Sequence, residues 1–340
     1  MSAHVRVLLS GYYGAGNVGD EALLAGLVSG LRERGFEPVV LSADPRATRE
    51  LHGVRSFDRV SGLLPALLRS GALVSGGGGL LQDVTSSRSL DYYLGVVRLA
   101  RRLGKRVVLY GQSLGPLSTA GLARTAAALR GLPVAVRDQE SLALAGTLNL
   151  SAVLVADPAL LLDVPPDLPG RDPSGPVVLV PRSGQDVLNS ALETLALQLR
   201  EDGTPLAATA LHPQQDSPAV DRLVRLVPGL DVRDATTPAL ALRAVSGARY
   251  VVSVRLHGCI LAARAGVGFA GLSYDPKVRG FLAQAAAPSF QRPVDQKSLV
   301  NLVRTSPPME VHAVDHLTRL ASEGLDWLAD VLSPERTAGA

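Results

Sequence analysis

The side chains best suited to chemistry in this chain are cationic, and they stand where apolar runs stop. VVSVRLHGCILAARAG (residues 251–266) reads as a buried strand that ends in Arg255, with His257 two residues on as a helix begins. On an extended segment residues i and i+2 point the same way, so Arg255 and His257 are expected to flank one anion. Arginine grips phosphate or carboxylate with two parallel bonds, and histidine moves protons near neutral pH. GLSYDPKVRGF (residues 271–281) repeats the pattern one strand later with Lys277, one of three lysines among 34 basic residues. Arg182 ends the apolar run VVLVPR, and Arg137 ends PVAVR, beside Asp138. His212 follows PLAATAL and precedes PQQD; its proline-flanked loop predicts exposure and ranks it below His257. His4, His52, His312 and His316 lack such placement, and no close metal-ligand spacing such as H-E-x-x-H occurs, so no metal is expected.

Two glycine-rich segments carry the polar candidates. GYYGAGNVGD (residues 11–20) contains a formal G-x-G-x-x-G at Gly14, Gly16 and Gly19, with Asp44 after the second apolar run. That is a dinucleotide fingerprint. Asp20 and Glu21 argue against it, because they open the helix where a pyrophosphate needs the positive helix end. Two readings stay open: a tight turn for strand–helix packing, or a loop whose Asn17, Asp20 or Glu21 touches a sugar-like substrate. SGGGGLLQD (residues 75–83) has four consecutive glycines. Their entropic cost implies that a ligand or another chain segment passes close to the backbone. Gln82, Asp83, Thr85, Arg88, Tyr92 and Tyr93 follow, suited to bonding or stacking on a sugar, or to lining a core edge.

The elements that must position these residues follow from periodicity. Residues 5–11, 38–42, 72–77, 106–111, 133–137 and 152–157 are short apolar runs separated by helix-length segments. After DVPPDLPGRDPSGP (residues 163–176) a second series starts: 177–182, 205–211, 230–234, 248–255 and 268–275. Continuous apolar strands alternating with helices imply parallel sheets covered on both faces. The fold class expected is α/β: two Rossmann-like parallel-sheet lobes in a GT-B-like arrangement with a cleft between them. The boundaries are 1–164, a linker at 165–176, 177–310, and a C-terminal helix and tail at 311–340. The first lobe is taken as the acceptor side and the second as the donor side.

Composition narrows the class. Hydrophobic residues make up 46% and charged residues 19%, as in a folded chain. The single cysteine, Cys259, excludes an internal disulfide framework and fits a reducing compartment. Neither a signal peptide nor a membrane span is expected. The net charge of +3 is spread along the chain, so nucleic acid is not expected as a partner, whereas an anionic substrate or an anionic membrane surface suits it.

In order, GYYGAGNVGDEALL, SGGGGLLQDVTSSRSLDYYL, GQSLGP, RDQES, DPALLL, RLHGCILAARAG and SYDPKV resemble the polysaccharide pyruvyltransferase family, specifically its CsaB-type branch, over most of residues 5–285. The resemblance implies a GT-B-like fold without a sugar nucleotide or other cofactor. It implies phosphoenolpyruvate as donor and a pyruvate ketal on a sugar as product. The acceptor implied is a lipid-linked saccharide ending in β-N-acetylmannosamine, a precursor of secondary cell-wall polysaccharide that anchors surface-layer proteins. A cytoplasmic enzyme is implied, with peripheral association at the inner membrane face; oligomeric state is left open. By motif, Arg255, Arg182, His257 and Lys277 fall on donor binding. His257, Arg137 and Lys277 fall on catalysis, with His257 either moving the proton or mainly holding phosphate. Asn17, Asp20, Glu21, Gln82 and Asp83 are the acceptor candidates. Two departures stand out: VLVPRSG replaces S-V-R-P-W around Arg182, and Ser113 of GQSLGP stands where glycine is usual. The competing readings are a sugar-nucleotide-dependent GT-B glycosyltransferase, a non-catalytic binder of acidic polysaccharide, and an NAD-dependent oxidoreductase.

Overall fold

The computed structural model describes residues 5–84 and 87–333, so Thr85 and His4 lie outside the described residues. The chain divides into two compact units.

The first unit alternates β1 (Arg6–Ser10), α1 (Val18–Glu33), β2 (Glu37–Ser42), α2 (Pro45–His52), β3 (Arg55–Asp58), α3 (Leu63–Leu68), β4 (Ala72–Leu81), α4 (Ser87–Arg102), β5 (Arg106–Leu114), α5 (Thr119–Leu129), β6 (Val134–Val136), α6 (Gln139–Thr147) and β7 (Ala152–Leu154). Its strands form one parallel sheet in the order β3-β2-β1-β4-β5-β6-β7. The polar edge strand β3 carries RSFD, which offers no apolar run to detect. Leu73, Val97, Leu109 and Val134 lie in its core.

The second unit contains β8 (Val177–Val180), α7 (Asp186–Glu201), β9 (Leu206–Ala208), α8 (Pro213–Leu226), β10 (Asp231–Val232), α9 (Pro238–Val245), β11 (Tyr250–Ser253), α10 (Leu256–Arg264), β12 (Phe269–Leu272), α11 (Pro276–Gln284), β13 (Ser289–Phe290), α12 (Gln296–Thr305) and the start of α13 (Val311–Leu332). Its strands are again all parallel, in the order β10-β9-β8-β11-β12-β13. Both orders are doubly wound, and ligands in such sheets sit outside the strands' carboxyl ends where the winding reverses. In the second unit that point lies between β8 and β11, where Val180 pairs with Ser253.

Two segments divide differently from the sequence expectation. Residues Gly16–Ala22, at the start of α1, group with the second unit, as Val18 N donating to Leu211 O at 2.9 Å illustrates. The C-terminal helix groups with the second unit up to Leu317 and with the first from Thr318. Its later part is held there by Arg34, which bonds Asp326 at 2.7 Å. The proline-rich stretch is strapped onto the second unit: Arg171 Nη2 donates to Ser306 O at 2.7 Å, and Asp167 pairs with Arg243 at 2.8 Å.

The strand before the glycine run extends through it, since β4 continues to Leu81 with a register irregularity between Gly78 and Leu81. What passes close is protein. Gly77 has φ +81°, and a Cβ there would come within 2.0 Å of Leu23. Tyr92 and Tyr93 line a core edge: their rings meet edge-on at 5.0 Å, and the Tyr92 hydroxyl donates to Arg59 O at 2.7 Å.

Cys259 is wholly buried on α10, and burial pushes its thiol up to about 12. Since the thiolate is the reactive form, Cys259 should resist a disulfide-exchange reagent at pH 8 in the native protein and react at once in guanidinium. Fast native labelling would contradict this packing.

Candidate functional site

The second unit gathers its ionisable groups at the carboxyl edge of its sheet. Arg182 lies two residues beyond β8, His212 four beyond β9, Arg255 and His257 just beyond β11, and Lys277 five beyond β12. The residues read at strand ends, Arg182, Arg255, His257 and Lys277, thus stand on one sheet edge, and the observed strand order puts Arg182 and Arg255 after the two strands that flank the reversal.

The structure gives them different partners. The residue that organises the edge, Asp216 of α8, was missed from the sequence. It is fully buried, and Arg255 clasps it from both Nε and Nη2, the latter at 2.7 Å. It also accepts from Ser183 N at 3.0 Å and His212 N at 3.2 Å. One carboxylate thus ties together the tips of β8, β9 and β11. The signal was present in HPQQD, where an acid in the first helical turn sits four residues from an expected strand end.

Arg255 and His257 do not flank one anion as an extended pair would. Arg255 is extended (φ −95°, ψ 135°), but α10 begins at Leu256, so the alternation ends before His257. Arg255 turns to Asp216. His257 lies against the first turn of α1, where a Cβ on Gly19 would fall 2.2 Å from its Nδ1. Gly19 is therefore glycine because the imidazole occupies the place of its side chain. Lys277, in the first turn of α11, places Nζ 3.3 Å from Asp275, which also caps that helix by accepting from Lys277 N.

Arg182 differs from these cations. Asn189 fixes its backbone through bonds to both N and O, at 3.1 and 2.7 Å. Its guanidinium lies 4.6 Å from the centre of the Tyr274 ring. Among the described residues it makes no ion pair. Burial first, and then the nearby charge of Arg255, lower its pKa. A desolvated guanidinium held over an aromatic face without a carboxylate is suited to an anion.

His212 is buried, at 4% exposure, against the expectation of an exposed loop residue. Its backbone enters the Asp216 network and its proline-led helix packs inward, which buries the ring. Among the described residues neither ring nitrogen has a hydrogen-bond partner, and the Tyr274 hydroxyl is likewise buried without one. Burial, then Arg255, hold the imidazole below its ordinary value.

The acceptor candidates are divided between the units. Asn17, Asp20 and Glu21 group with the second. Asn17 caps α1 by accepting from Gly19 N at 3.2 Å and donates to Asp20. Gln82 and Asp83 belong to the first unit, just after β4. Asp83 binds Ser118 N at 2.8 Å and the Ser118 hydroxyl, which hold its pKa down.

Arg137 also belongs to the first unit, in a buried network. It pairs with Asp157 and donates from Nε to Ser113 Oγ at 2.9 Å; Ser113 in turn donates to Asp138 at 2.6 Å. The departure at Ser113 is thus filled by a hydroxyl that bridges Arg137 and Asp138. Among the described residues no group of three or more His, Cys, Asp or Glu side chains gathers as a metal site, and no helix is long and apolar enough to cross a membrane.

Replacing Asp216 by Ala would strand the Arg255 charge, a change that costs roughly 3–5 kcal/mol in buried pairs. Urea unfolding should show a loss of that order, and wild-type stability would contradict the bracket. His212 supplies a pH test. Its lowered folded value means the unfolded chain binds the extra proton, so its contribution is present above about pH 6.5 and lost as pH falls through the folded value. Acidification from pH 7 to 5 should therefore destabilise wild type more than His212→Gln, by calorimetry; equal losses would contradict the assignment.

Several two-lobed α/β enzymes share this fold. A UDP-N-acetylglucosamine 2-epimerase, described as putative, from Listeria monocytogenes superposes with a TM-score of 0.62 at 10% identity, over 96% of this chain and 95% of that one. A glycosyltransferase from Rickettsia africae gives 0.55 at 8% identity, over 97% and 96%. The glycosyltransferase of kitacinnamycin gives 0.58 at 12%, over 97% and 100%. These likenesses establish a GT-B-like fold class. No curated protein sequence matches the chain. The family model for polysaccharide pyruvyl transferase matches residues 17–276, from the first turn of α1 through β12 to the start of α11. The chain belongs to the polysaccharide pyruvyltransferase family.

Proposed function

We propose that the protein transfers pyruvate from phosphoenolpyruvate to a saccharide as a cyclic ketal, releasing phosphate, and that the carboxyl edge of the second unit's sheet holds the donor. The observation that carries this reading is Arg182, a half-buried guanidinium over Tyr274 with no ion pair among the described residues. Phosphoenolpyruvate bears a phosphate and a carboxylate on a three-carbon skeleton, so it needs more than one cation. Arg182 supplies a cation without a direct ion pair among the described residues, with Asp216, Asp275 and Asp20 acting on it from beyond that distance. Arg255, braced by Asp216, supplies the adjacent field, and Lys277 closes the β12 side.

The reaction begins with a proton delivered to the donor's methylene carbon, which leaves C2 electron-poor. A sugar hydroxyl attacks C2 and loses its proton. The C2–O bond to phosphate breaks, phosphate departs, and a second hydroxyl closes the ketal ring. One of the two hydroxyl protons replaces the proton spent on the methyl group, and the other leaves with phosphate. His257, packed on Gly19, is the residue we assign to proton transfer, and Asn17, Asp20 and Glu21 stand beside it to meet the acceptor. Gln82 and Asp83 are acceptor candidates of the first unit. Arg137, committed to Asp157 and Ser113, enters as a brace for the loop after β6. Buried cations supply the electrostatic work without a cofactor.

The finer reading follows the motif resemblance: a CsaB-type enzyme at the inner face of the cytoplasmic membrane. Its acceptor would be a lipid-linked saccharide ending in β-N-acetylmannosamine, and its product would serve surface-layer anchoring. The sugar-nucleotide alternative has only the shared fold behind it.

Mass spectrometry of such an acceptor after incubation with phosphoenolpyruvate should show an added pyruvate ketal and an equivalent of phosphate. No product with any acceptor, but turnover with a sugar nucleotide, would overturn the reading. His257→Ala should lower turnover about 100-fold or more while the protein remains folded. Wild-type turnover in that variant would remove His257 from proton transfer.

A further inference from the structure

His212 is not accounted for by the reaction above. A histidine buried for packing usually satisfies at least one ring nitrogen, because an unmade hydrogen bond in the interior costs about 1–3 kcal/mol. Here Nδ1 and Nε2 are both buried and both lack a partner among the described residues. The backbone of His212 is fully used, since its N–H donates to Asp216 and its C=O accepts from Gln215 N and Asp216 N, each at 2.8 Å. The main chain is therefore fixed and the ring left over. It stands at the tip of β9, next to the strand whose tip carries Arg182. The partnerless Tyr274 hydroxyl, on the ring that Arg182 covers, is a second buried polar atom left open on this edge.

We propose that His212 is a ligand-binding residue of the donor site: a ring nitrogen meets an oxygen of the bound phosphate or carboxylate, and the ring takes up one proton from solvent as the anion arrives. The proposal rests on the donor site assigned above and adds a residue and a proton to it.

The charges around His212 give the direction. Arg255 from the tip of β11 and Arg182 from the tip of β8 oppose a positive imidazole, while Asp216 of α8 favours one. Asp275, before α11, and Asp20, in the first turn of α1, act on Arg182 in turn. Burial and the arginines outweigh Asp216 and hold the imidazole below its ordinary value. A phosphate dianion placed against Arg182 reverses the sign of the local field and offers an acceptor, so the charged ring becomes the favoured form. Segment Gly16–Ala22 is tied by the Val18 amide to Leu211, one residue before His212.

The test is calorimetric titration of the full chain with inorganic phosphate and with phosphoenolpyruvate, at pH 7, in two buffers of different ionisation enthalpy. Wild type should bind with buffer-dependent heat that corresponds to proton uptake. His212→Gln should bind about tenfold more weakly, the loss of one hydrogen bond to a charged group, and show no uptake. His212→Asn is the second variant should the glutamine fail to fold, and His257→Gln should keep the uptake. Unchanged affinity and unchanged uptake in the His212 variants would overturn the proposal, as would uptake lost only in His257→Gln. Failure of wild type to bind either anion with proton uptake would also overturn it. Phosphate binding with uptake, but phosphoenolpyruvate bound no tighter than phosphate, would count against the pyruvyl-donor reading and leave His212 supported.

Discussion

The bidentate clasp of Arg255 on Asp216 is the interaction on which the rest of the second unit's functional edge depends. A buried ion pair contributes little net stability when weighed against an apolar replacement. What this one contributes is position. The carboxylate that neutralises Arg255 also receives the backbone amides of Ser183 and His212, so three strand tips are fixed by one group. Once Arg255 is compensated, Arg182 is left as the desolvated cation at the reversal of the strand order, where a doubly wound sheet opens its ligand crevice.

Glycine takes part in the same logic at the opposite partner. His257 can lie on the first turn of α1 only because Gly19 has no Cβ. In the G-x-G-x-x-G spelling that imitates a dinucleotide loop, the last glycine makes room for an imidazole, and Asn17 caps the helix start by accepting from Gly19 N. Asp20 and Glu21, the residues that argued against a pyrophosphate, follow Gly19 directly in the chain and group with the same unit.

Much of this was legible in the sequence because strand ends are easy to read in parallel sheets: an apolar run that stops at an arginine marks a carboxyl edge. Arg182, Arg255, His257 and Lys277 were placed on one edge for that reason. What escaped had a common cause. Asp216, His212 and Ser113 owe their roles to partners distant in sequence, and no local pattern distinguishes a buried acid in a first helical turn from an exposed one. The i, i+2 argument failed because the helix begins one residue after Arg255. The glycine run left ligand and chain segment both open because the partner that crowds it, Leu23, lies far away in the chain. The edge strand β3 and the two-residue β13 were too polar or too short to register.

The central claim is that Arg182, left without a carboxylate by the Asp216–Arg255 clasp, is the anchor of a small anionic donor. A crystal structure with phosphoenolpyruvate bound tests it most directly. The account predicts phosphate or carboxylate oxygens within hydrogen-bonding distance of the Arg182 guanidinium, between the tips of β8 and β11, with Arg255 still on Asp216. A donor seated elsewhere, or an Arg255 that abandons Asp216 to bind it while Arg182 stays on Tyr274 alone, would contradict the account.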